Sequence, residues 1–536
     1  KVGGSTGFSG GVWWIPNNPV MKRAGVADSF ERAWQYLEST VTYRGRGSSD
    51  GRRRAFLEAG PEMVEFLEGQ GMKFKYADGW PDYYDDRPGG EPRGRSLVAE
   101  PFDLNELGEW KSRLSTYPGM AFPLGSEYFA SLFLAKTTWA GKRTALKLAW
   151  HIIKSKVLGR DMRGSGAAIQ GRMLQMSLRA QVPIRNETAV REFVVENDRV
   201  VGVVAIRDGR AVRIEARDGV LINAGGFSRN REMRDKYQPR PNAHAWTNAN
   251  PGDTGEVLEA AMRIGASVDC MDEAWWMVTS LGPGETLPEG AVNAAGVRIP
   301  FMHHLDLSLP HLLMVDQDGR RFANESGSYM EIGQRMYARH AQAGRCVPAW
   351  VIMDSRHRNN YPWGTAQPGR TPQSWLDSGY MKSADSLEAL ARQCGISWPG
   401  LEAEVQQFNE YCRIGVDRDF GRGGRAFDRS HGDPGVKPNP NLGRIERGPF
   451  YAVAMYPGDI GTCGGLVTDE HARVLREDNS VIEGLYATGN STASVMGRDY
   501  PGAGATIGPS FVFGYCAARH AARSGSVVRA GAAKPT

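Results

Sequence analysis

Glycine-rich stretches that end apolar runs are the part of this sequence best suited to holding a ligand. Gly219-Val220-Leu221-Ile222 leads into Asn223-Ala224-Gly225-Gly226, and Leu485-Tyr486-Ala487-Thr488 leads into Gly489-Asn490. In an open α/β sheet the ligand crevice lies beyond the carboxyl ends of the strands. Glycine there lets backbone approach a flat ring or a pyrophosphate. Ordinary strand-to-helix turns account for either site alone about as well. Two such sites, with the opening loop Gly3-Gly4-Ser5-Thr6-Gly7-Phe8-Ser9-Gly10-Gly11, make coincidence harder. Gly502-Ala503-Gly504-Ala505-Thr506-Ile507-Gly508 enters a predicted helix. Its free amides and the helix dipole favour an anionic group, unless it is simply a capped helix start.

Other reactive side chains give weaker signals. The chain has 18 tyrosines, and any one of them taken alone is packing material. His303-His304 is the only adjacent histidine pair, and no HExxH occurs. Zinc needs three or four convergent ligands, so no metal is expected. The six cysteines lie far apart with no CxxC, which fits reduced thiols in a cytoplasmic protein. A net charge of +5 is too mild to indicate nucleic acid. No uncharged apolar run reaches the about 20 residues of a membrane span.

The elements that must carry these loops follow from hydrophobic spacing. Helices are predicted over Asp28 to Val41, around Phe56, Met63, Phe66 and Leu67, after Gly164-Ser165-Gly166, and from about Ser510. Strands are predicted over 190–206 and 211–214, and a buried strand over 219–222. Trp80-Pro81-Asp82-Tyr83 opens a loop that runs to Gly90. The middle, from Asp272 to Phe450, reads as helices and loops, with turns near 282–290 and 421–443. The last dozen residues read as frayed. Length 536 exceeds what one core usually serves. A glycine–strand module, a middle region and a second glycine–strand module indicate one domain interrupted by another.

Several of these segments, in order along the chain, resemble the 3-ketosteroid Δ1-dehydrogenases, a family of the fumarate-reductase-like flavoproteins. The matches are Gly3-Gly4-Ser5-Thr6 with Ser9-Gly10-Gly11, Trp14-Ile15-Pro16-Asn17-Asn18, Trp80-Pro81-Asp82-Tyr83 and Ala224-Gly225-Gly226-Phe227. Further matches are Met271-Asp272-Glu273-Ala274-Trp275-Trp276, Arg321-Phe322-Ala323-Asn324-Glu325 with Tyr329, Gly461-Thr462-Cys463-Gly464-Gly465-Leu466, and Tyr500-Pro501-Gly502-Ala503-Gly504. The character is closest to the cholest-4-en-3-one branch.

The resemblance implies an α/β fold in which an FAD-binding Rossmann-like domain is interrupted by an α+β substrate-capping domain. The expected division is 1–273 and 451–536 for FAD, and 274–450 for the cap. It implies FAD held by Gly3, Gly4, Ser5, Thr6, Ser9, Gly10, Gly11, Ala224, Gly225, Gly226, Gly489, Asn490, Gly504, Thr506 and Ile507. Taking hydrogens from carbons 1 and 2 of a 3-keto ring needs a base beside the carbonyl, donors for the enolate oxygen and a hydride acceptor. The resemblance gives Tyr329 the C2 proton, Tyr83 the task of helping it ionise, and Tyr500 with the Gly504 amide the ketone. Flavin N5 takes the C1 hydride, and a quinone or another acceptor later takes the electrons. A free tyrosine has a pKa near 10, so the base needs such help.

Two departures bear on this reading. The family opens with a strand and GxGxxG, which are not found before Gly3. By that comparison roughly 35 residues precede Lys1 in the natural protein, enough for a βαβ unit of about 30. The second departure is an insertion, about residues 128–160. It carries Lys136, Lys142, Arg143, Lys147, Lys154, Lys156 and Arg160, no acidic residue, and Leu146, Trp150, Ile153 and Val157 at helical spacing. It reads as a helix on an anionic membrane surface, placing the protein peripherally on the inner membrane, or else as a solvated basic face of a packed helix. The alternatives in function are a Δ4-(5α)-ketosteroid dehydrogenase, a fumarate-reductase-like enzyme, and a non-catalytic membrane-surface flavin-binding protein. Against fumarate reduction, Asp459-Ile460-Gly461-Thr462 lacks the expected histidine.

Overall fold

A computed structural model describes residues 1–116, 122–283 and 299–532, with side chains to residue 523. The turn expected near 282–290 lies mostly outside the described residues. Two larger sheets organise the chain. In one, Val220–Ile222 runs parallel to Val481–Ala487, which also pairs with Arg473–Leu475 and touches Arg199–Arg207. Thr188–Glu196 and Arg210–Glu215 flank Arg199–Arg207 antiparallel. The parallel pairing brings the two strand-end glycine sites side by side. Leu221 is 43% exposed, so the strand expected to be buried instead opens one side chain to a cavity.

The middle region, expected from its pattern to be helices and loops, is built on an antiparallel sheet. The order is Phe301–Met302, Ala274–Ser280, Phe450–Thr462, Ala349–Met353 and Leu312–Val315, with Met381–Ala384 also on Phe450–Thr462. Strand alternation assigns Leu312, Met314, Val351, Met353, Val453 and Met455 to one core. Leu313, Val315, Ile352 and Ala452 face the other, under the helices Leu387–Cys394 and Trp398–Ile414. Both faces are covered, which explains the continuous apolar runs. The expected division at 450/451 falls at the start of the Phe450–Thr462 strand, which pairs with strands within 274–384 and bridges Thr247 through Asp459.

Helices Phe30–Thr40, Asp50–Gly69 and Ser165–Arg179 stand where hydrophobic spacing places them. Phe66 is half exposed while Phe56, Met63 and Leu67 are buried. The last helix, Ile507–Ala532, starts at the glycine-rich entry, and most of the stretch expected to fray is helical. The insertion folds as Phe129–Phe133 and Trp139–Val157. The longer helix buries only Gly141 and leaves Trp139 80%, Leu146 71% and Trp150 62% exposed. Its apolar stripe therefore does not pack on the protein. Among the described residues no helix is long and apolar enough to cross a membrane.

Candidate active site

Tyr83, Tyr329 and Tyr500 come from three distant segments and meet in one place. Ring centroids are 4.8 Å apart for Tyr329–Tyr500, 5.4 Å for Tyr83–Tyr500 and 5.7 Å for Tyr83–Tyr329. Specific bonds bring them there. The Tyr83 amide donates to the Pro501 carbonyl (2.9 Å), and the Tyr36 hydroxyl donates to the same oxygen (2.6 Å). Trp14 Nε1 donates to Asp82 (2.9 Å), and Asp82 pairs with buried Arg95, which also holds Asp28. The 80–84 loop is thus pinned to the 500–503 loop, and Phe427 packs on the Tyr83 ring at 4.1 Å. Tyr329 opens the helix Tyr329–Ala343.

All three phenols are buried, and burial raises each pKa. Tyr329 is raised well above 10 by burial, by its two phenol neighbours and by hydrogen bonds with them. Tyr500 is also raised by burial, but donors oppose this: Tyr329, the Thr506 hydroxyl, and the amides of Gly504 and Thr506. These groups surround the Tyr500 oxygen at the entry of the Ile507–Ala532 helix. Gly504 allows this geometry. Its φ is +95°, and a Cβ there would stand 2.2 Å from the Val12 carbonyl oxygen.

The three phenols form part of the wall of a cavity of about 1650 Å³. A drug-sized ligand fills roughly 300–1,000 Å³, so there is room for two. Gly3, Gly4, Ser5, Thr6, Ser9, Gly10, Gly11, Ala224, Gly225, Gly489, Asn490, Gly504, Thr506 and Ile507 all line it. Gly226 does not; a Cβ there would meet Thr462 Oγ1 at 1.9 Å, so this glycine serves packing. The residues fit a flavin: bare glycine backbone on several sides, and amide donors at a helix entry for its electron-rich edge. Sequence reasoning missed Asn248, Asn250 and Asp253, which share the wall. Ser5 Oγ donates to Asp253 (3.0 Å) and accepts from the Asn250 amide (3.0 Å). Burial pushes Asp253 up to about 7, although the Ser5 bond works the other way. The signal available was Asn250-Pro251-Gly252-Asp253-Thr254-Gly255, a turn-rich run between predicted elements. Beyond the phenols the wall carries apolar side chains, Met302 and Leu305 from the middle region and Phe129, Leu132, Phe133 and Leu148 from the insertion, together with His304, Asp306 and Gln367.

The FAD binding domain family model matches residues 1–507. The 3-oxosteroid 1-dehydrogenase of Mycobacterium tuberculosis is 41% identical, over 97% of this chain and 92% of that protein. The crystal structure of 3-ketosteroid Δ1-dehydrogenase from Sterolibacterium denitrificans, in complex with 1,4-androstadiene-3,17-dione, is 38% identical. It superimposes with a TM-score of 0.88, covering 97% of this chain and 93% of that one. An open-conformation flavocytochrome c3 fumarate reductase shares the fold alone, at TM-score 0.55 and 21% identity, over 97% of this chain and 72% of that one. A fumarate-reductase-like flavoprotein fold, an FAD-binding module and close relatives of one activity lead to one assignment: this chain belongs to the FAD-dependent 3-oxosteroid 1-dehydrogenase family.

Proposed function

We propose that this chain introduces the 1,2 double bond into 3-ketosteroids by the cooperation of Tyr329, Tyr83, Tyr500 and Gly504. The observation that carries the reading is the meeting of three buried phenols at a helix entry on the wall of a cavity with room for two ligands. A ketone oxygen beside Tyr500 competes for the donors now converging there, and the Gly504 amide and Tyr500 hydroxyl polarise it. Polarisation acidifies the C2 hydrogens, which is the help a base with a raised pKa requires. Tyr329 takes the C2 proton, and Tyr83 hydrogen-bonds the phenol that does so. FAD, when bound, supplies the acceptor for the hydrogen that leaves C1 with its bonding pair. Gly3 to Thr6, Gly10, Gly11, Gly225, Gly489, Asn490 and Gly504 to Ile507 hold it, and a quinone is the class of acceptor that reoxidises it.

The substrate class is a steroid with an extended apolar side chain, such as cholest-4-en-3-one. The apolar wall formed by Phe129, Leu132, Phe133 and Leu148 supports this. The outer side of the same insertion exposes tryptophans beside lysines. Such a helix lies in the interface of an anionic bilayer, and a membrane-dissolved sterol then enters beneath it. A cytoplasmic protein resting on the inner membrane fits these features.

The test is anaerobic mixing of the holoenzyme with androst-4-ene-3,17-dione while following flavin absorbance. We expect bleaching and a product with a 1,2 double bond. Tyr329→Phe should keep its flavin and lose about 10²–10⁴ in the bleaching rate, the usual worth of a positioned base. A wild-type flavin that stays yellow, or a 5α-ketosteroid desaturated at carbon 4, defeats the reading.

A further inference from the structure

The adjacent histidines at 303 and 304 play two separate parts. His303 is buried in a chain of hydrogen bonds: Nε2 to Ser280 Oγ (2.7 Å), Nδ1 to Asp306 Oδ2 (2.6 Å), and Ser280 onward to the Tyr380 hydroxyl (2.7 Å). Ser280 is fully buried, so no substrate reaches it and the array is not a hydrolytic triad. It fixes Asp306, whose other oxygen accepts from the backbone amides of His304 and Leu307, both at 3.1 Å. The network therefore sets the position of His304 on the cavity wall.

His304 presents its ring edge-on to Tyr329 at 5.1 Å and lies 6.3 Å from Tyr83. Trp80 and Phe427 cover its faces. Its buried Nε2 has no hydrogen-bond partner, and neither has the buried Nε2 of His431, whose ring is 5.4 Å away. Two orphaned imidazole nitrogens side by side in a protein interior call for an explanation. His431 Nδ1 lies 3.4 Å from Ser430 Oγ, which donates its own proton to the Phe427 carbonyl (2.7 Å), and Ser430 is partly exposed. The titratable groups facing His304 are Tyr83, Tyr329 and His431, with Asp306 on its own segment. Burial holds His304 well below its ordinary pKa, with His431 adding to this, and brings His431 down to about 4. Both rings are neutral near pH 7.

We infer that His304 and His431, once side-chain rotation brings their now unbonded nitrogens within hydrogen-bond reach of the phenol and of each other, form the route by which the proton taken up by the tyrosine base leaves for solvent, ending at Ser430. The C2–H bond breaks and its proton forms a phenol O–H bond. A phenol O–H then breaks as one ring nitrogen of His304 gains a proton and the other releases one to His431. His431 does the same toward Ser430 and water. Each ring ends neutral, so the low basicity of the two imidazoles is no obstacle. One proton leaves and no electron moves along the route.

This rests on the desaturase reading, and the experiment separates the two. Holoenzymes of wild type, His304→Gly, His304→Gln and His431→Gln are mixed anaerobically with androst-4-ene-3,17-dione. Flavin content and Tm are recorded, and flavin bleaching and wash-in of solvent deuterium at C2 are followed. We expect each variant to keep its flavin, to bleach about 10–100-fold more slowly and to lose C2 exchange in parallel, with KM within threefold of wild type. Added imidazole should restore His304→Gly at least severalfold. If wild type does not bleach, the desaturase reading fails. If wild type bleaches and His431→Gln matches it in rate and C2 exchange, the route is overturned, even where a His304 variant misfolds. Slowing of a well-folded His304→Gly that imidazole does not relieve also overturns it.

Discussion

Single residues at this site act through what burial does to them. Gly504 is the sharpest case, because its φ of +95° and the nearby Val12 carbonyl leave no room for a side chain. Gly504→Ala should shift the amide off the Tyr500 oxygen and cost roughly 1–3 kcal/mol of stability. Flavin bleaching should slow, and unchanged bleaching would dissociate this amide from ketone activation. Asp253 gives a pH signature. Its folded pKa of about 7 lies above its ordinary 3.8, so between these values the folded state keeps a proton that the unfolded state has lost. Stability from this group is therefore fully present below about 4, falls as pH rises toward 7, and is level above. Asp253→Asn should remove that slope and be more stable than wild type at pH 8 by on the order of 4 kcal/mol. Urea unfolding at pH 5 and pH 8 decides, and equal slopes in both proteins refute it. Neither Asp253 nor His304 was legible as a site residue. Asp253 sits in a run that reads as a turn, and His304 belongs to a dipeptide that sequence tests only as a metal ligand. The three tyrosines were legible only through the motifs around them, since 18 tyrosines carry no distinguishing spacing.

At the scale of elements, periodicity and glycine placement located what is local. The two glycine-ended strands, the helix after Gly166 and the amphipathic insertion are all encoded within about 20 residues each. The Phe450–Thr462 strand was not legible, because Pro457-Gly458 in its middle reads as a break. What sustains it is long-range pairing with Ala274–Ser280 and Ala349–Met353, which no local pattern reports. The Trp139–Val157 helix is the element with most left to explain, for Trp139, Leu146, Trp150, Ile153 and Val157 stay more than half exposed. Replacing Trp139, Leu146 and Trp150 by serine removes side chains worth about 1.5–3 kcal/mol each if buried in a bilayer. Co-sedimentation with anionic liposomes should drop at least tenfold, while turnover of a water-soluble steroid stays within twofold. Lipid binding that survives the triple change would return this helix to the role of a solvated basic face.

Across the whole molecule, one buried charge cluster ties together segments that are distant in sequence and lead to Tyr329. Glu325 accepts from the Met314 amide (3.0 Å) and pairs with Arg321 (2.8 Å) and Arg422 (3.2 Å), and Arg321 also pairs with Asp417 (2.9 Å). Arg422 donates to the carbonyls of Leu307, Leu309 and Leu312. The cluster thus ties the Leu312–Val315 strand to the segment after Asp306 and to the turn that starts the Tyr329 helix. Burial opposes the charge on Glu325, yet Arg321 and Arg422 outweigh it and hold the carboxyl down to about 2. With a folded pKa below its ordinary 4.5, the carboxylate stabilises fully above about 4.5, and that contribution is lost as pH falls toward 2. Glu325→Gln leaves two buried guanidinium groups short of a counter-charge, which should cost about 3–5 kcal/mol at pH 7. On acidification from pH 6 to pH 3 the wild type should lose more stability than the variant, because only the wild type has this carboxylate to protonate. Denaturant melts of both proteins at the two pH values measure the difference. Parallel losses would mean that Glu325 is not the group whose charge holds these segments together, and that Tyr329 is positioned by apolar packing alone.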